Sequence, residues 1–212
     1  MDIYTIGHSN YSMEKFIEML KMFNINCIVD TRAIPYSKYN KQFDKENIKK
    51  TLLSEGFYYI YMGMELAAKR VNKLSYNNEG FADFDKVIKE KEFQNGVNRL
   101  RNGCKKGYKI AILGAMQDPI RCQRGILIGK YLSSNGFNVN HILDNLEIAS
   151  QKDIEKFLLE KYFKDRNQLT IDSLLGTAMS EEEMIKECYK LANKDIGYRI
   201  ENLKKATTNI VK

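Results

Sequence analysis

Residues 108–116, YKIAILGAM, with Gln117, Asp118 and Pro119 directly behind them, decide the fold of this 212-residue chain. The run is almost continuously apolar, as in a strand covered on both faces. Such a strand implies helices on either side of a sheet. Asp118 and Pro119 then suit the N-cap and first position of a helix, expected to run to about Ser134 and to stop at Gly136. Cys122 falls in the first turn of that expected helix. Residues 138–143, NVNHIL, read as the next strand.

Working back toward the N-terminus, the same alternation repeats. Residues 2–6, DIYTI, read as a strand, and Ser12 caps a helix with Met13, Phe16, Ile17, Leu20 and Phe23 on one face. NCIVDT at 26–31 is a short buried strand, followed by a loop with Pro35. Asp44 opens a helix carrying Ile48, Leu52 and Leu53, which ends at Gly56, and FYYIYM at 57–62 is a third strand. Residues 71–80, VNKLSYNNEG, look like an excursion loop, and 82–102 a single helix. Five strand–helix alternations predict an α/β fold: a Rossmann-like, three-layer unit on a parallel sheet, spanning residues 1–150. Residues 151–212 are expected to form a helical C-terminal extension packed on it. A helix over 151–163 begins it, and Ser180 with Glu183 makes a capping box for a last one.

Composition narrows the function. At 43% hydrophobic and 29% charged residues the chain is of ordinary globular make-up. No apolar run approaches the ~18 residues needed to span a bilayer, and the first ten residues lack the pattern of a signal peptide. A cytoplasmic protein with no membrane partner is therefore expected. The four cysteines, at 27, 104, 122 and 188, show no CxxC spacing, and there are two histidines. Neither a disulfide framework nor a Cys/His metal site is expected. Without a Walker or GxGxxG loop, no nucleotide cofactor is expected either. The net charge of +7 is uneven. Residues 1–143 hold 22 Lys and Arg against 14 Asp and Glu, and the remainder 12 against 13. An anionic partner, a small molecule or nucleic acid, would be drawn to the first two thirds, although lysines solvated on helix backs would give the same count.

In open α/β sheets ligands gather at the carboxyl ends of the strands. The polar residues just past each expected strand are His8 and Ser9; Asp30, Thr31, Arg32 and Ser37; Glu65; Asp118, Cys122 and Arg124; and Asp144. Asp30 and Arg32 are either a carboxylate and a guanidinium in the site or a buried ion pair. Cys122, flanked by Arg121 and Arg124, is either a nucleophilic thiol or a small buried hydrophobe. Arg124 suits a phosphate or carboxylate, or a salt bridge to Asp118 or Asp30. His8 is an acid/base candidate or a turn residue, while His141 reads as core.

Several stretches together resemble the domain of unknown function 488 family: TIGHSN at 5–10, VDTRAIPYSKYNKQF at 29–43, YMGMEL at 61–66 and LGAMQDPIRCQR at 113–124. FQNGVNRL at 93–100, VNHIL at 139–143, SEEE at 180–183 and CYKLANKDIGYRIE at 188–201 extend the likeness to longer members. The resemblance implies an α/β fold and a bacterial or archaeal cytosolic protein, with no established activity. Against the family's CAEKDP-x-x-CHR segment this chain has Gly114 for the first Cys, Met116 for Glu and Gln123 for His, and Ala67 replaces a usual Gly.

Two functions follow as expectations. One is an enzyme acting on a phosphorylated, nucleotide-like or nucleic-acid substrate. In it His8, Asp30, Glu65 and Cys122 are catalytic candidates, and Ser9, Arg32, Ser37, Asp118 and Arg124 bind the substrate. The other is a non-catalytic anion- or nucleic-acid-binding regulatory protein with a degenerate site. Tyr36, Tyr39, Lys38 and Lys41 are its nearest approach to an aromatic-basic surface.

Overall fold

The computed structural model describes residues 1–164 and 179–201. The expected 151–212 extension therefore lies partly outside the described residues. Six strands form one sheet: β1 (Asp2–Gly7), β2 (Cys27–Asp30), β3 (Tyr58–Tyr61), β4 (Ile110–Gly114), β5 (Asn138–Ile142) and β6 (Ile148–Ser150). Their order is β3-β2-β4-β1-β5-β6. The first five run parallel, and β6, which the sequence reading did not foresee, adds antiparallel to β5. A tight turn makes that hairpin, with Leu146 at φ 66° and the Leu143 N–H bonded to the Glu147 carbonyl.

The apolar run that suggested the fold is β4, and all five of its residues are buried. It lies between β2 and β1, so both of its edges are paired as well as both faces covered. Chain direction sets the layers. The connections β1→β2 and β2→β3 move one way across the sheet, and right-handed crossover puts α1 (Met13–Met22) and α2 (Lys45–Ser54) on one face. Phe16, Leu20, Ile48 and Leu52 pack there on Ile6, Ile28, Ala111 and Leu113. The connections β3→β4 and β4→β5 move the other way. The opposite face thus carries α3 (Gly63–Leu66), α4 (Phe84–Val87), α5 (Lys91–Lys105) and the helical stretch ending in α6 (Lys130–Ser134). Ile154, Leu158 and Leu159 of α7 (Gln151–Tyr162) join the same apolar cluster, as do Cys188, Tyr189 and Ala192 of α8 (Glu181–Ile196). Capping boxes start both of these helices, at Ser150 with Asp153 and at Ser180 with Glu183.

Two expected helices are broken. The helix expected at 82–102 is α4 and α5, separated where Glu90, the residue before α5, turns extended (φ −67°, ψ 139°) and makes no side-chain cap. Its carboxylate pairs with the buried Arg70, and the Ser75 hydroxyl donates to it. The helix expected from Asp118 to Ser134 is a single 3-10 turn, Pro119–Arg121, and then an extended residue, Cys122 (φ −140°, ψ 143°). Helical structure resumes as π turns over Arg124–Gly129. Cys122 thus precedes the main helical segment rather than sitting in its first turn. Its carbonyl accepts the Gly125 and Ile126 N–H groups.

Candidate functional site

Neighbouring β1 and β4 send their chains to opposite faces, which opens a crevice at the carboxyl end of the sheet. A cleft of about 410 Å³ lies there, lined by Ser9, Met116, Gln117, Asp118, Pro119, Arg121, Leu143, Asp144 and Phe157. It draws on the loops after β1, β4 and β5 and on α7. Ser9 holds a left-handed backbone conformation (φ 43°), a strained state for a non-glycine residue.

The expected site residues divide into two groups at this sheet end. One lies on the α1–α2 face, where Asp30 follows the parity of Ile28. Asp30 and Arg32 form the buried ion pair, with Arg32 Nε and Nη2 donating at 2.9 and 2.7 Å. Asp30 also accepts the Arg32 backbone N–H at 3.0 Å and the Tyr59 hydroxyl at 2.7 Å. Burial and the Asp30 carboxylate push the Tyr59 pKa up. The remaining Arg32 nitrogen, Nη1, donates to the Phe43 carbonyl at 2.8 Å and to His8 Nε2 at 3.2 Å. Since arginine only donates, His8 Nε2 accepts, and Nδ1–H is left to donate to the Ser9 carbonyl at 2.8 Å. The ring stacks on Phe43, with centroids 4.4 Å apart. Burial, helped by the Arg32 charge, lowers the His8 pKa to about 4. Both ring nitrogens are therefore engaged within the protein.

The second group lies on the opposite face. Arg124 is fully buried, the bulkiest such side chain among the described residues. Its Nη1 donates to Thr5 Oγ1 at 2.6 Å, and its Nη2 to the carbonyls of Gln117 at 2.5 Å and Met116 at 3.5 Å. Its Nε has no partner among the described residues. Gly114 makes room here, since a Cβ on it would stand 2.6 Å from Cys122 Sγ and 3.0 Å from Arg124 Cδ. Unlike Arg32, Arg124 has no carboxylate within ion-pair distance among the described residues. Burial pushes its pKa down, and the neighbouring Cys122 and Asp118 act the other way.

Arg124 begins a buried chain whose polarity is determined. Thr5 Oγ1 accepts from it and, since the neutral His141 ring carries its proton on Nε2, donates to His141 Nδ1 at 2.8 Å. His141 Nε2–H donates to Gln151 Oε1 at 2.9 Å. Gln151 Nε2 donates to the Gly125 carbonyl and to the Tyr189 hydroxyl, and Tyr189 donates to Glu155. Burial and the Arg124 charge lower the His141 pKa to about 3, so the ring stays neutral as the chain requires. A Cβ at Gly129 would collide with Gln151 Oε1 at 2.4 Å.

Glu65 and Ser37 lie apart from both groups, whereas Cys122 and Asp118 adjoin Arg124. Glu65 pairs with Arg99 of α5. Ser37 organises its own loop, its Oγ accepting the Tyr39 and Asn40 N–H groups and its N–H bonding Asp44. Cys122 is buried, with Sγ 3.2 Å from Gln123 Oε1. Asp118 Oδ1 caps Ile120 N–H at 2.9 Å. Asp144 pairs with Lys15 at 2.8 Å. Hydrogen bonds to Lys15 and Tyr11 lower its pKa, while burial, then Asp144, raise that of Tyr11. Thr5, Tyr11, Gln117 and Gln151 were not singled out by the sequence reading. A threonine at an inward position of β1, in line with Ile3, was the one usable signal.

Among the described residues no cluster of His, Cys, Asp and Glu suits a metal ion, and no helix is long and apolar enough to cross a membrane. No curated protein and no solved structure matches the chain. The family model described as domain of unknown function DUF488 matches residues 12–131. That stretch runs from α1 through β4 and Arg124 into α6, and the chain belongs to the DUF488 family.

Proposed function

We propose that this protein binds a small phosphorylated or nucleotide-like anion in the cleft at the carboxyl end of the sheet. One observation carries the reading: Arg124 holds a buried charge behind the cleft wall with no carboxylate within ion-pair distance among the described residues. An uncompensated buried guanidinium is costly, and an anion nearby relieves that cost. Arg121 and Lys15 add cations around the rim, against Asp118 and Asp144. His8, Asp30, Glu65 and Cys122 lie outside the cleft lining, which favours binding over turnover. An enzymatic reading falls to Asp118 and Asp144, the carboxylates that do line it.

A nucleic-acid ligand is favoured by a separate observation. Tyr39 is 91% exposed and Tyr36 54%, beside the exposed Lys38 and Lys41, and bases could stack there.

A thermal-shift series with inorganic phosphate, sugar phosphates, nucleotides and short single strands tests both readings. Phosphorylated small molecules should raise Tm progressively with the logarithm of their concentration, and neutral sugars and nucleosides should not. A Tm indifferent to every phosphorylated compound would overturn the anion reading.

A further inference from the structure

We propose that the main-chain amides of Gln117 and Asp118 form a seat for two oxygens of one phosphate group, free or esterified. The proposal rests on the anion reading of the cleft. It follows from the way two peptide planes are turned.

Every peptide in the described residues is trans, and in a trans peptide the C=O and the next N–H point in opposite directions. Two consecutive carbonyls are turned inward here. Arg124 Nη2 donates to both Met116 O and Gln117 O. The Met116 carbonyl also lies against β1, close enough that a Cβ on Gly7 would stand 1.9 Å from its oxygen. The N–H groups of Gln117 and Asp118 therefore point away from Arg124 and β1. Met116, Gln117 and Asp118 all line the cleft, and the proposed seat has the two N–H groups on the cleft side of the loop. Neither N–H has a protein acceptor among the described residues.

Successive N–H groups aimed the same way make an anion-binding concavity. Here one guanidinium both orients the two peptides and places a positive charge behind them. Competing carboxylates are occupied: Asp118 Oδ1 turns back to Ile120 N–H, and Asp144 is held by Lys15. Arg121, exposed at the rim, offers a second cation to a dianionic group. A phosphate monoester fits this arrangement better than a carboxylate, because it offers more oxygens and more charge to two amides and two guanidinium groups.

The test is amide-resolved NMR of the full 15N-labelled chain, titrated with inorganic phosphate, with adenosine 5′-monophosphate and with adenosine. The Gln117 and Asp118 amide protons should move downfield and saturate with phosphate and with the monophosphate, and stay in place with adenosine. Saturation at lower monophosphate than phosphate concentration would support an esterified ligand; equal saturation would support the free ion. Movement of Ser9 and Arg121 with Gln117 and Asp118 unmoved would overturn the amide seat and leave the cleft reading standing. No movement at any cleft residue would overturn the cleft reading itself.

Discussion

Arg124 Nη1 donates to Thr5 Oγ1 at 2.6 Å, which joins the buried guanidinium to a hydrogen-bonded chain of one polarity. The Gly125 carbonyl can only accept, so Gln151 turns Nε2 to it and Oε1 to His141 Nε2–H. The neutral ring then leaves Nδ1 to accept the Thr5 hydroxyl, and the Tyr189 hydroxyl donates to the Glu155 carboxylate. The sheet end is thereby tied to α7 and α8. Thr5→Val keeps the shape and removes the hydroxyl, leaving Arg124 Nη1 and His141 Nδ1 without partners. The expected loss is about 2–4 kcal/mol in urea denaturation, since a stranded buried polar group costs about 1–3 kcal/mol. Thr5→Ser should restore most of it. Equal stability of the Val variant and the wild type would refute the directed chain.

Arg32 and Arg124 predict different outcomes. Arg32→Ala leaves Asp30 buried and unpaired, and should cost about 3–5 kcal/mol. Where the variant folds, phosphate affinity should be unchanged, because Arg32 lies on the other face of the sheet. Calorimetric titration of a folded Arg32 variant checks this, and a large affinity loss would place both arginines in one site.

Both histidines should be neutral down to acid pH. Their folded pKa values, about 4 for His8 and about 3 for His141, lie below the ordinary 6.5. The unfolded chain takes up these protons first as pH falls, so the histidines contribute full stability above about pH 6.5. That contribution is lost progressively toward pH 4 and below. With two histidines in the chain, their ring-proton NMR signals are assignable by elimination using one variant. A midpoint near 6.5 for either would contradict its buried, hydrogen-bonded setting.

Gly7 is held small by the loop after β4 rather than by its own backbone. Gly7→Ala places a methyl against the Met116 carbonyl and must push it off. The expected result is about 1–3 kcal/mol of destabilisation and at least a tenfold loss of phosphate affinity. Wild-type affinity in this variant would show that the Met116 peptide plays no part in binding.

The layers were legible because β4 is apolar without interruption and because helical and strand periodicities alternate cleanly around it. The break at Cys122 was not, since Asp-Pro followed by apolar residues gives one continuous helical pattern. The π turns carry Gly125 and Gly129, where a Cβ would meet the Pro119 carbonyl and Gln151 Oε1, contacts that helical periodicity does not reveal. The short β6 was hidden because ILDNLEIAS carries its turn at a non-glycine residue, Leu146. The strand-end residues were legible as a set, but their pairing was not. Asp30 and Arg32 are neighbours two residues apart, while the partners of Arg124 lie on β1 and in main-chain carbonyls that no side-chain pattern reveals.

Phosphate titration of Arg124 variants tests the central claim most directly. A charge about 6–8 Å behind a bound anion, at an effective dielectric near 20, contributes about 2–3 kcal/mol. Arg124→Gln should therefore weaken phosphate binding by about 30- to 150-fold, and Arg124→Lys, which keeps the charge, by less. A folded Arg124→Gln protein that binds phosphate as the wild type does would contradict the account.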